Sequence, residues 1–137
     1  MEIATLLQKQ KIMKKINILI SWSGDNYCAG TSDLDGVVMA TSKNYDGIKK
    51  EFQSALAFHL EDDDSIDNYE LTYELQTSAL LRKLDGVLTR SALSRVTGIN
   101  EQQLSHYITG HRNPREKQRK RIIEGIHSIG KELISVV

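Results

Sequence analysis

Leu93-Ser94-Arg95-Val96-Thr97-Gly98-Ile99-Asn100-Glu101-Gln102-Gln103-Leu104-Ser105 decides how the second half of this chain is read. Leu93 and Val96 lie at helical spacing, and their helix stops at Gly98, a residue that takes the left-handed conformation a helix end needs. Ile99 is an apolar plug in the turn. Asn100 is placed to cap the next helix, with Gln103 at its third position able to bond back in capping-box fashion. Leu104 and Ile108 turn that second helix inward and leave Gln102, Gln103 and His106 outward. Two short helices across a tight glycine turn make a helix-turn-helix unit.

The residues that follow fit the same reading. Gly110-His111-Arg112-Asn113-Pro114-Arg115 offers two arginines and polar donors suited to phosphate contacts. Exposed glutamines near the start of a recognition helix can read adenine bidentately in the major groove. Arg95, Lys117, Arg119, Lys120 and Arg121 add positive charge. The predicted DNA-binding set is Arg90, Asn100, Gln102, Gln103, His106, His111, Arg112, Asn113 and Arg115. Every segment after Thr77 reads helical: Ser78–Leu84, Arg90–Thr97, Glu101–Thr109 and Glu116–Ile129, with Lys131–Val136 as an extension.

Upstream the period is different. Ile16, Ile18, Ile20 and Trp22 alternate with Asn17, Leu19 and Ser21, which predicts a strand over Lys15–Trp22 with one buried face. Ser23–Asn26 and Asp33–Gly36 read as turns around strands at Tyr27–Thr31 and Val37–Thr41, an antiparallel meander. Ile48, Phe52, Ala55, Leu56 and His59 then recur at helical spacing, with Asn44 as the expected cap and an end near Leu60. Tyr69, Leu71, Tyr73 and Leu75 alternate with Glu70, Thr72 and Glu74 as a fourth strand. The expected class is α+β: a βββαβ domain followed by an all-α helix-turn-helix domain. The expected divisions are an N-terminal extension at 1–12, possessing a short amphipathic helix pattern, a partner-binding domain at 13–76 and a DNA-binding domain at 77–137.

Charge divides the chain at the same place. The formal net charge is zero, yet residues 1–77 hold 7 Lys+Arg against 13 Asp+Glu, a balance of −6. Residues 78–137 hold 11 against 5, a balance of +6. A basic half suits a polyanion and an acidic half suits a cationic protein surface. One cysteine, Cys28, excludes an internal disulfide, and the longest apolar run is far too short to span a bilayer. With no signal-peptide pattern, the expectation is a cytoplasmic protein with no membrane partner.

Catalytic readings fare poorly. Asp25, Asp33, Asp35 and Asp62–Asp64 fall in turns, where solvated acids are a better account than a two-metal site, and they lack the spacing of a calcium loop. Cys28 has no surrounding nucleophile motif and is read as a small half-buried strand residue. His59 lies on the apolar stripe of its helix and is read as a packed histidine. His106 and His111 are five apart, which does not stack them on one helix face. Trp22, Tyr69 and Tyr73 are read as core or interface residues. The chain is expected not to be an enzyme and to need no metal or cofactor.

Leu93, Gly98, Ile99, Leu104, Ser105, Ile108, Gly110, Arg112 and Pro114 resemble the lambda-repressor-like (XRE) helix-turn-helix family in type and spacing. The half that precedes them resembles the HicB antitoxin family through Ile16–Trp22, the Gly24-Asp25 turn, Asp33-Leu34-Asp35-Gly36 and the helix ending at His59-Leu60-Glu61. Asp35 and Val37 stand where that family often has proline and cysteine. The resemblance implies a partial RNase H-like N-terminal domain that binds and blocks a HicA-like RNA-cleaving toxin, with Trp22, Asp25, Asp33 and Asp35 as partner-binding candidates. It also implies a homodimer or higher homo-oligomer that represses its own operon at operator DNA. The alternative is a stand-alone transcriptional regulator whose N-terminal domain dimerises or senses a ligand.

Overall fold

Alternation along the first strand sets the architecture of the N-terminal half. The computed structural model describes residues 13–61 and 64–137, so the expected helix at 1–12 lies outside the described residues, as do Asp62 and Asp63. Strand β1 (Lys14–Trp22) buries Ile16, Ile18 and Ile20 completely and leaves Asn17 and Leu19 outside. Strands β2 (Tyr27–Leu34), β3 (Gly36–Ser42) and β4 (Tyr69–Leu75) complete a four-stranded mixed sheet in the order β3-β2-β1-β4. Helix α1 (Tyr45–Leu60) lies between β3 and β4 in the chain and buries Ile48, Phe52 and Leu56. Tyr27, Ala29, Val38 and Tyr69 are also buried, so the apolar face of the sheet and the apolar stripe of α1 form one core. The order is βββαβ and the class is α+β.

Strand β2 is longer than its apolar alternation implies. It pairs antiparallel with β3 from Tyr27 opposite Ser42 to Leu34 opposite Gly36, with an irregular register between Thr31 and Leu34. The turn expected over Asp33–Gly36 is therefore confined to Asp35, and Asp33 is a strand residue. Its carboxylate accepts the backbone N–H of Asn17, on β1, at 2.9 Å. Asn44 sits at the N-cap of α1 in extended conformation, yet its side chain makes no capping bond. Tyr45 and Asp46 begin the helix without that help.

The chain divides into two compact units. Among the described residues, one holds 13–20 with 25–61 and 64–74, and the other holds Ser21–Gly24 with Leu75–Val137. The second unit carries helices α2 (Thr77–Leu84), α3 (Arg90–Thr97), α4 (Glu101–Ile108) and α5 (Glu116–Ser135). Leu81, Leu93, Ile99, Leu104, Tyr107, Ile108 and Ile122 form its core, with Leu88, Ile126 and Ile129 packed against it. Each fully buried Leu or Ile stabilises the unit by about 1.5–3 kcal/mol. Helix α5 runs without a break through Gly130, so the extension expected after Ile129 is part of the same helix. Gly125 is buried where α5 crosses α3: a Cβ there would lie 2.8 Å from the Thr97 methyl.

Candidate nucleic-acid interface

The turn between α3 and α4 is built residue by residue. Thr89 caps α3 by accepting the N–H of Ala92 at 3.0 Å. At the other end Gly98 has φ 73°, the left-handed region, and its N–H donates to Ser94. Buried Thr97 donates its hydroxyl to the Leu93 carbonyl at 2.6 Å and accepts the Ile99 N–H at 3.2 Å. That satisfies a buried donor in a turn that has no helix ladder to satisfy it. Ile99 is buried in the core below. The Asn100 carboxamide oxygen then accepts the Gln103 N–H at 2.7 Å and starts α4.

The second half of the expected capping box is not made. Gln103 turns its amide instead to the Tyr107 hydroxyl at 2.9 Å, one turn along the helix, and is half-buried. Gln102 stays exposed. Of the two glutamines, only Gln102 therefore projects its amide outward without first breaking a bond.

Arg90 also has inward commitments. Its guanidinium donates to the Ser105 hydroxyl at 2.8 Å and pairs with Asp85 at 3.4 Å. Ser105 in turn donates to the Glu101 carbonyl. Arg90 thus braces the start of α3 against the middle of α4 through its Nε and Nη1.

After α4, Gly110 takes φ 77° and reverses the chain. A Cβ at Gly110 would stand 3.2 Å from the Trp22 carbonyl oxygen, so the close approach as well as the backbone conformation favours glycine. The Arg112 N–H then donates back to the His106 carbonyl. This reversal brings the His106 and His111 rings to 5.4 Å between centroids. The two rings meet across this reversal and not along one helix face, because α4 ends at Ile108 and His111 lies in the loop. His111, Arg112, Asn113 and Arg115 are exposed, and Arg115 occupies the N-cap position of α5. The loop and the exposed side of α4 thus present Gln102, His111, Arg112, Asn113 and Arg115, with His106 half-buried beside them, while Asn100, Gln103 and Arg90 make bonds within the unit. Glu101, also exposed, suits the positive end of α4 but lowers the potential for an approaching phosphate.

Trp22 belongs to this helical unit. Its backbone N–H donates to the Ser78 hydroxyl at 3.3 Å, and the Arg82 guanidinium lies 4.4 Å from its ring centre. The periodicity of β1 gave no hint of this, because alternation reports the face of a strand and not what lies beyond its end. Asp25, Asp33 and Asp35 are exposed, with Asp33 holding Asn17 and the Asp35 carbonyl meeting His59 Nε2 at 2.9 Å. His59 is exposed, not packed: its helix places it at the rim, past the last buried residue Leu56. Asp64 is no simple solvated acid. It accepts the Tyr69 hydroxyl at 2.6 Å, the Asn68 amide at 2.7 Å and the Ser65 N–H at 2.8 Å. These bonds, the Tyr69 hydroxyl first, hold its carboxyl below the ordinary aspartate range and push the Tyr69 phenol up.

Among the described residues no cluster of three or more His, Cys, Asp or Glu gathers to hold a metal, and no helix is long and apolar enough to cross a membrane. The chain matches no protein-family model, no curated protein and no solved structure.

Proposed function

We propose that the helical unit binds operator DNA, with α4 entering the major groove and the His111–Arg115 loop lying on the phosphate backbone. The observation that carries this reading is the pair α3 and α4 joined through left-handed Gly98, with Asn100 capping α4 and Gln102 exposed on its first turn. Arg112 and Arg115 supply sequence-independent charge, and Gln102 supplies a bidentate group of adenine-reading type. Single short recognition helices bind weakly, so the DNA-bound species is a homodimer on half-sites about 34 Å apart or a multiple of that. The acidic first unit serves as the partner-binding half of an antitoxin that neutralises a small cationic RNA-cleaving toxin of HicA type. A toxin that holds RNA must present a cationic surface, to which an acidic domain is attracted.

The test is fluorescence anisotropy of the full-length protein on a duplex from upstream of its own gene and on a scrambled duplex of equal length. Preference for the upstream duplex by about a hundredfold or more supports an operator-binding protein. Equal affinity for the two rejects it.

A further inference from the structure

The two edges of the sheet are finished differently. The β4 edge carries Glu70 and Glu74 in exposed positions, the charged finish that discourages pairing with another chain. The β3 edge carries no charged residue from Gly36 to Ser42. Val37 is 66% exposed and Met39 64% exposed. Phe58, on the last turns of α1, is 82% exposed. Val37, Met39, Ala55 and Phe58 line a groove of about 340 Å³ along this edge, with Glu61 at one end. An uncharged strand edge and an aromatic side chain left in water beside it are costly unless something covers them.

The surroundings say what kind of partner fits. No Lys or Arg lines the groove. The β2–β3 turn that opens it carries exposed Asp35, and Glu61 lies exposed where α1 ends. His59 Nε2 meets the Asp35 carbonyl, so the turn and the end of α1 share one rim. A second copy would bring an identical acidic rim to this one, and like charges at close range oppose pairing.

We propose that the free edge of β3 and its groove are the docking surface for a cationic partner protein, which adds an extended segment to the sheet and seats apolar side chains against Phe58, Val37 and Met39. Backbone pairing along the strand gives affinity, and the apolar groove and acidic rim give selectivity. This rests on the antitoxin reading above and names the surface that reading needs.

The experiment measures, by calorimetry, binding of the full-length protein to the product of a small basic reading frame adjacent to its gene, with sedimentation of each variant alone; if no such frame exists, the antitoxin reading is removed and the inference falls with it. Phe58 is largely exposed, so replacing it leaves the fold intact; unchanged melting and operator binding confirm that. Phe58→Glu removes the anchor and weakens capture roughly tenfold, and Phe58→Lys weakens it roughly tenfold more by adding repulsion. Val37→Lys, which puts a charge on the strand itself, gives a similar loss. Wild-type affinity in both lysine variants overturns the inference and leaves the antitoxin reading standing. A Lys variant that binds better than the Glu variant overturns the cationic assignment. Loss of self-association with partner affinity intact assigns the edge to a second copy and overturns the proposal. Failure of the unaltered protein to bind its neighbour removes the antitoxin reading, and the inference falls with it.

Discussion

Thr97 does two tasks with one hydroxyl, donating to the Leu93 carbonyl and accepting the Ile99 N–H. Valine has the same shape and neither ability. Thr97→Val is expected to lower stability by about 1–3 kcal/mol, because the Ile99 N–H is left buried without an acceptor; denaturant unfolding measures it. Asp64 offers a test by pH. Its folded value is depressed, chiefly by the Tyr69 hydroxyl, so its contribution is present above the unfolded aspartate range and is lost as pH falls through the folded value. Tyr69→Phe should therefore melt below wild type at about pH 7, and the gap should narrow towards about pH 3. A gap that stays constant with pH contradicts this assignment. The signal for the Asp64 clasp was hidden in the sequence: three consecutive aspartates read as solvated charge, and nothing in their order singles out the third.

Among the elements, α5 carries a matched pair of glycines. Gly125 is pressed against Thr97 and Val96, whereas a Cβ at Gly130 would meet open space. Gly130→Ala is expected to raise stability by about 0.5–1 kcal/mol, the ordinary gain from removing a helix glycine. Gly125→Ala gains the same but must push α3 aside, for a net loss of about 1 kcal/mol. Thermal melts of the two variants should shift in opposite directions. The elements themselves were legible in the sequence wherever one face is buried: Ile16-x-Ile-x-Ile in β1, Ile48, Phe52 and Leu56 in α1, and Leu93 to Ile108 across the glycine turn. Legibility failed where an element is held by polar bonds. The last residues of β2 have no apolar alternation, and Asp33 is tied to β1 by its carboxylate, which accepts the Asn17 N–H. The Gln103 and Arg90 side chains point where bonding partners lie, Tyr107 and Ser105, and such partners in space are not visible from helical spacing alone.

At the scale of the whole molecule, the two units do not follow the chain in a simple sequence. Ser21–Gly24 groups with the helical unit, and Trp22 is held there by Ser78 and Arg82. A fragment of residues 77–137 therefore lacks part of its own unit. Trp22→Ala in the full chain should destabilise the helical unit by about 1–3 kcal/mol, less than for a fully buried ring, and fragment 77–137 should unfold at lower temperature than the same helices in the intact protein. Hydrogen exchange resolved along the chain reads both effects separately in each unit.

In the proposed complex, α4 reads DNA bases while the loop after it holds the backbone. The most direct measurement is binding of Gln102→Ala and Arg112→Ala full-length proteins to the upstream duplex and to a scrambled one, across a salt series. Gln102→Ala should lose about 1–3 kcal/mol on the upstream duplex and almost nothing on the scrambled one, with an unchanged salt slope. Arg112→Ala should lose affinity on both and flatten the salt dependence by about one ion. Equal losses on both duplexes for Gln102→Ala, or no loss on either for Arg112→Ala, would contradict the assignment of α4 and its loop to DNA.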